Sequence, residues 1–427
     1  VANQNLTSFD AVMKNYYAGP IVSLLNDETY MLDQIEQQHA NDFGTFTGRQ
    51  VVFPTRVSRN RGRGATTDGG SLAAAGAQGY LDGIVNIRYL FQGIELTDMV
   101  IEQSKTDIGA FTRALTSETD RATIDLRKDV QRMVFGTGDG VLANCTAANS
   151  TNTQQVDSGQ YIAVGDTVDI LTKSNGTVKA QGLTVTAVSY TGTAGSSTQT
   201  NATITLSATP GTATTTSDAI YISGDRNNES DGLRNICSTG RTLHQINSST
   251  YPIWDSNVKA AASGSNVANP SEDLFMQLVQ QIRARSGKNI DVFVTSLGVQ
   301  RRLANTYASQ KRWNDASVTK IDGGYSAIMV AAGNQPVPVV SDVDCPAGYA
   351  FAINKSSFCW TELNRPGFLE SPDGNGSSFV LKDGSAAGSK VAVWQAWIRW
   401  YSTLACVAPL WNGAITNLAD DVPIVRF

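Results

Sequence analysis

The sequence predicts a mixed α+β fold that carries an inserted, small all-β domain, and three features predict it. From Asp107 to Met133, apolar or small residues fall at Ile108, Phe111, Leu115, Thr119, Ala122, Leu126, Val130 and Met133, steps of three and four that put them on one face of a long helix. At the usual rise such a helix is roughly 40 Å long. From 146 to 228 charge thins, threonine dominates, and short alternating runs recur at Thr167–Leu171, Leu183–Val188, Ala202–Leu206 and Ala219–Ile222. Turn signals such as Asn175-Gly176 and Pro210-Gly211 separate them, the pattern of a small sandwich or barrel. Beyond about 229, helical and buried-strand patterns alternate, as in an α/β domain.

The remaining segments follow in order. Residues 1–45 read as an arm: Ile21, Leu24, Leu25, Met31, Leu32 and Ile35 make a broken helical stripe too weak for a core of its own, so it needs a partner surface. Residues 46–100 read as a hairpin, with Gln50–Val57 and Gly83–Leu96 strand-like and a Gly- and Ala-rich tip, SRNRGRGATTDGGSLAAAGAQGYLD, between them. Long tips of this kind are usually functional or stabilised by a partner. The long helix occupies 101–145 and stops at Gly136, Gly138 and Gly140. Within 229–345, Ser271 caps a helix with Leu274, Leu278 and Ile282 on one face and Gly287 at its end. Asp291–Thr295 is a buried-type strand, a helix follows around Leu297–Tyr307, and Ala327–Val330 and Val337–Val340 are short strands. Within 346–427, Tyr349–Ile353 and Phe358–Glu362 are strands, and Lys390–Leu410 reads as one long twisted strand or a strand pair. Lys390 and Arg399 interrupt that run and argue against a membrane helix.

This order of parts resembles the tailed-bacteriophage major capsid proteins, which share the Hong Kong ninety-seven-like fold of N-arm, E-loop, spine helix, A-domain and P-domain. Val292-Phe-Val-Thr-Ser296 followed by Arg301, Arg302 and Leu303 is similar to the family's A-domain strand and helix. Gly333-Asn-Gln-Pro336-Val337-Pro-Val-Val340, then Pro346-Ala-Gly348, resembles its passage into the P-domain. The resemblance covers most of the chain except 146–228, which reads as an insertion. It implies a virion structural protein and no enzyme, assembled in the host cytoplasm by self-association into the pentamers and hexamers of an icosahedral shell. Scaffolding, portal and decoration proteins and packaged double-stranded DNA are the implied partners, the DNA held without sequence-specific binding; no cofactor is implied. An encapsulin-like compartment shell and a β-rich surface binding protein are the alternatives.

Composition bounds these readings. Of 427 residues 41% are hydrophobic, enough for ordinary cores, while a net charge of −5 argues against nucleic-acid binding by bulk electrostatics and suits a wall that encloses DNA without gripping it. The five cysteines are scattered with no CxxC pair, so they are expected to be reduced and buried, with no disulfide framework or zinc site. No apolar run is long enough for a bilayer, and VANQNLTSFD lacks a secretion-signal pattern, so export by that route is not expected.

Among candidate sites, the resemblance assigns E-loop contacts between neighbouring copies to Arg56, Arg59, Arg61, Arg63 and Arg88. Ser58-Arg-Asn-Arg-Gly-Arg-Gly64 has three readings: a solvated loop, a clamp on carboxylates of an adjacent copy, and an RGG-like RNA-binding segment. Some family members crosslink a lysine of this loop to an asparagine of a neighbour. Residues 41–98 contain no lysine, and guanidinium is no useful nucleophile, so a non-covalently held shell is expected. Gly136-Thr-Gly-Asp-Gly140 follows a helix rather than a strand, Gly287-Lys288 lacks the Walker A glycine, and Ser317-Val-Thr-Lys320 lacks its companion motifs. His39 and His244 lie far apart, Asp342/Asp344 and Asp420/Asp421 read as solvated turns, and Trp394, Trp397 and Trp400 read as core and interface filler.

Overall fold

The computed structural model describes residues 28–36, 50–104, 114–306, 328–332, 335–369, 379–384 and 389–420. The readings at Ile21–Leu25, His39, Asp107–Phe111, Ser317–Lys320, Gly333-Asn334 and Asp421 lie outside them. The described residues fall into two units, a larger one within Thr29–Leu90, Arg127–Gly367 and Arg399–Phe427, and a smaller one within Val1–Glu28, Phe91–Leu126 and Phe368–Ile398.

In the larger unit, helix α1 (Tyr30–Glu36) is followed by strands β1 (Gln50–Ser58) and β2 (Gly79–Asn86), which pair antiparallel from Gln50↔Asn86 to Ser58↔Gly79. Strand β3 (Arg88–Thr97) does not continue this hairpin; it pairs instead with a strand about 300 residues later. The sequence pattern had merged β2 and β3, because one alternation runs through both and the change of partner leaves no local mark. Helices α2 (Asp98–Ser104) and α3 (Ala114–Val134) follow. Ala122 and Leu126 are buried on α3 in the smaller unit, and Val130, Met133 and Val134 in the larger, so the apolar face is continuous along the helix.

The threonine-rich stretch folds as β4 (Val141–Asn144), β5 (Thr153–Val156), β6 (Thr167–Thr172), β7 (Val178–Tyr190), β8 (Ala202–Leu206) and β9 (Asp218–Ile222). They form one antiparallel sheet in the order β4-β9-β6-β7-β8-β5. Its two ends meet: Cys145 bridges Val156, Thr146 N–H donates to the Gln155 carbonyl at 2.9 Å, and Asp157 N–H to that of Asn144 at 3.0 Å. This bridge joins the ends of the sheet and closes it as a barrel. Val156, Val168, Ile170, Ile204 and Ile220 fill its interior. The outward positions of the alternating strands are largely threonine and serine, which satisfy the period of two without an apolar outer face.

After α4 (Leu233–Ile236) and the short pair β10 (Thr242–Leu243) and β11 (Ile246–Asn247), a mixed sheet is built from β12 (Asn257–Ala260), β13 (Val292–Thr295), β14 (Ile328–Ala332), β15 (Gln335–Ser341), β16 (Ala350–Ile353) and β20 (Gly413–Thr416). Its order is β12-β20-β16-β13-β15-β14. Helix α5 (Glu272–Ser286) packs on this sheet: the Ser271 hydroxyl accepts from Leu274 N–H, Glu272 and Asp273 occupy the first turn, and Gly287 ends it at φ +70°. Phe275, Leu278, Val279 and Ile282 are its buried face, each contributing roughly 1.5–3 kcal/mol by burial. Phe275 meets Phe293 of β13 edge-on at 4.8 Å. Helix α6 (Leu297–Thr306) adds Val299 and Leu303.

The last long run is a single strand, β19 (Lys390–Cys406), in one sheet with β17 (Phe358–Phe368), β18 (Val380–Asp383) and β3. In the smaller unit β18 pairs with its first half, and Glu95 of β3 binds Lys382 at 2.8 Å and also accepts from Gln395. Trp394 Nε1 donates to Asp98 there. In the larger unit Trp400 lies 5.7 Å from Trp360, both buried, under the Arg127 guanidinium. Burial pushes the thiols of Cys145, Cys237 and Cys406 up to about 12, and all five cysteines are buried.

The second half of α3 is gripped by polar contacts. Lys128 pairs with Asp344 at 2.9 Å, Gln131 Nε2 donates to Asp342 at 2.7 Å, and Arg132 pairs with Glu229 at 2.6 Å. Gln131 Oε1 also accepts from Leu32 N–H, and Arg127 pairs with Asp33, so α1 docks here with Met31, Leu32 and Ile35 buried. The partner the weak arm stripe required is thus, for this part, the chain's own long helix. Asp342 and Asp344 correct the expectation of solvated turns. Both are buried, because helix cations and amides replace their water. Burial alone pulls the Arg132 guanidinium down, but Glu229, Asp129 and Asp225 outweigh it and raise its pKa. Arg132→Met is expected to cost roughly 3–5 kcal/mol in urea unfolding by stranding Glu229, and adding Glu229→Leu to recover most of the loss.

Candidate assembly interface

The β1/β2 hairpin has a buried root and an exposed tip. At the root Val51, Phe53, Val85 and Ile87 are buried. Phe53 meets the His244 ring edge-on at 5.9 Å and lies 6.4 Å from Trp254, while Ile84 N–H donates to the His244 carbonyl at 2.9 Å. Phe53 also covers its register partner Gly83, where a Cβ would come within 2.5 Å of the ring. His244 is a structural residue: its Nε2 accepts from Cys406 N–H at 3.0 Å, which leaves the proton on Nδ1, 4.0 Å from Asp231. Burial, with the positive charge of Arg241, holds its pKa down to about 3, so it is neutral at physiological pH.

Residues 58–78 are all exposed, Leu72 the most of the large apolar residues at 87%. The two sides of the tip run together: Asn60 Nδ2 donates to the Gly76 carbonyl at 2.7 Å, and a Cβ on Gly62 would stand 2.5 Å from Gly76 N. Only glycine permits that approach. The loop turns at Thr67–Gly70 through a 2.9 Å hydrogen bond.

Beside the tip lies an open groove of about 920 Å³. Arg56, Arg59, Arg61 and Arg63 line one side, and Thr250–Ile253, Ser286 and Trp411 the other. Lys288 sits over the Trp411 ring at 4.8 Å and adds a cation to that wall. Among the described residues, none of these four guanidinium groups is ion-paired. The groove is therefore chemically suited to a segment bearing carboxylates. The structure brings together four of the five arginines. Arg88 stands apart, its Nη1 donating to the Asn227 carbonyl at 3.0 Å. The opposite wall, with Tyr251 and Ile253 exposed, was not found by sequence reasoning: its residues are distant in sequence and carry no motif.

The other sequence candidates have structural roles. Asp420 is buried and accepts from Ser296 Oγ at 2.5 Å and Gly348 N–H at 3.1 Å, contrary to the solvated turn expected; it ties the end of the chain to the mixed sheet. Among the described residues no helix is long and apolar enough to cross a membrane.

An extended hairpin, a long helix, a mixed sheet and a sheet of long strands define an α+β architecture. No family model matches the sequence, and no curated protein matches it. Solved structures do. The cyanophage A-1(L) capsid asymmetric unit aligns over 97% of this chain and 99% of its own, with 14% identity and a TM-score of 0.57. The capsid of a native GTA particle aligns over 98% and 100%, with 10% identity and a TM-score of 0.53. The holo-SrpI encapsulin from Synechococcus elongatus aligns over the whole of both chains at 7% identity and a TM-score of 0.43. The chain has the fold of the tailed-phage major capsid proteins, the Hong Kong ninety-seven-like fold.

The hairpin root makes a pH prediction. A histidine whose folded pKa lies below its unfolded value near 6.5 stabilises fully above that value and loses the contribution as pH falls toward 3. Asp225, raised to about 6 by burial and the Glu229 charge, acts with the opposite sign over the same acid range. Comparing His244→Gln with the parent isolates the histidine: the parent should lose roughly 2 kcal/mol more than the variant between pH 6.5 and 5, read by denaturant unfolding.

Proposed function

We propose that this chain is a major capsid protein, self-assembling into the pentamers and hexamers of an icosahedral phage head that encloses double-stranded DNA. The observation that carries the proposal is the two-way alignment with the cyanophage capsid chain over nearly all of both molecules. In this reading residues 1–45 are the N-arm, 46–100 the E-loop, 101–145 the spine helix, 146–228 the inserted domain, 229–345 the A-domain and 346–427 the P-domain strands. Scaffolding, portal and decoration proteins would be its partners, with the virion as its location after assembly in the host cytoplasm.

The E-loop contacts in this proposal are ionic and packed. An exposed tip built on a buried root buries apolar and charged surface only against another molecule, and four arginines that are not ion-paired among the described residues favour a neighbour that supplies carboxylates. The absence of lysine from 41–98 supports a shell held without covalent bonds from this loop.

Expression of the full chain should give closed icosahedral particles in negative stain; only soluble monomer, with scaffolding protein supplied, overturns the proposal. Arg59→Glu with Arg61→Glu should leave the circular dichroism of the unassembled protein unchanged and cut particle yield at least about tenfold. Particles dissolved in denaturant should run as single chains, and a ladder of multimers would contradict non-covalent assembly.

A further inference from the structure

A lysine amine, a carboxamide and a carboxylate stand in line where the barrel closes. Lys173 Nζ donates to Asn144 Oδ1 at 3.1 Å, and Asn144 Nδ2 donates to Asp157 Oδ2 at 2.7 Å. The other carboxylate oxygen accepts from Asn144 N–H at 2.7 Å, so Asp157 holds both the main chain and the side-chain amide of Asn144. The roots are fixed as well. Lys173 N–H donates to the Ser217 carbonyl at 3.1 Å and its own carbonyl accepts from Arg226 at 3.0 Å, while Asp157 N–H donates to the Asn144 carbonyl. All three side chains line one polar cavity of about 270 Å³. Among the described residues the Lys173 amine pairs with no carboxylate, the usual partner of a surface lysine; it meets an amide oxygen instead.

We propose that Lys173 and Asn144 join in an intrachain isopeptide bond, with Asp157 carrying the proton. The amide carbon lies about 1.2 Å from the oxygen that the amine already touches, so a small rotation of the lysine brings Nζ to it. The neutral amine adds to Asn144 Cγ, and the carbonyl electron pair moves to Oδ1. Asp157 takes the proton that Nζ sheds and returns it to Nδ2, the atom it is bonded to in the ground state. Collapse of the adduct re-forms the carbonyl and breaks the Cγ–Nδ2 bond, releasing ammonia. Amine and primary amide become secondary amide and ammonia, with Asp157 regenerated and nothing oxidised or reduced.

The bond would staple the end of β4 to the residue after β6, next to the Cys145–Val156 seam. It lies within one chain and so adds nothing to the bonding between copies. It also stands or falls independently of the capsid reading, since it needs only the folded chain.

The test is intact mass and peptide mapping of the full-length chain, freshly purified and after prolonged incubation in mildly alkaline buffer. The expected result is a mass lower by one ammonia, with a branched peptide joining residues 144 and 173. Lys173→Arg keeps the charge and a donor to Asn144 but forms no such bond, so it should retain full mass. Asp157→Asn should slow the loss at least about tenfold. A parent chain that keeps its full mass throughout, or the same ammonia loss in Lys173→Arg, overturns the proposal.

Discussion

The polar grip on the second half of α3 is the constraint on which the larger unit depends. An apolar stripe alone would let a long helix slide or roll, since burial is not directional. Lys128, Gln131 and Arg132 bind carboxylates at fixed places, Asp344 and Asp342 on the loop after β15 and Glu229 on the segment that leaves the barrel. Gln131 faces both ways, toward Asp342 and toward the Leu32 main chain, so the arm helix is set by the same residue that sets the sheet. These contacts fix register more than they add net stability, because each desolvated charge offsets much of what its pairing gains.

The hairpin divides energy in the opposite manner. Phe53, Ile84 and the neutral His244 hold its base on the segment between β10 and Trp254, while its tip buries nothing. A rigid base with an unsatisfied end is the form expected of an element whose remaining stabilisation comes from association. The tip's two strands of backbone nonetheless run against each other at Gly62 and Gly76, so its shape is set before any partner arrives. That lowers the entropy lost on docking.

The barrel shows how a sequence with little charge and much threonine still specifies one structure. Strands β5 and β8 alternate buried and more exposed positions, β6 and β9 carry runs of buried ones, and the two ends of the sheet meet at the Cys145–Val156 bridge. The seam is also where Asn144, Asp157 and Lys173 converge, on three different segments that share no sequence motif.

The sequence by itself determined the periodic elements. The 3.6-residue stripe of α3, the Ser271-to-Gly287 limits of α5, the buried strand β13 and the alternating barrel strands were all legible, because each is set by neighbours a few residues away. The arginines of the tip were legible as a cluster as well. Tertiary structure alone decided which partner β3 takes, that the threonine-rich sheet closes as a barrel, that Asp342, Asp344 and Asp420 are buried rather than solvated, and that Tyr251 and Trp411 face the tip arginines while Arg88 does not. The physical reason is common to all of them. Local periodicity tells which side of an element seeks a surface, but the identity of that surface depends on residues 100 to 300 positions away, whose approach leaves no trace in the local pattern.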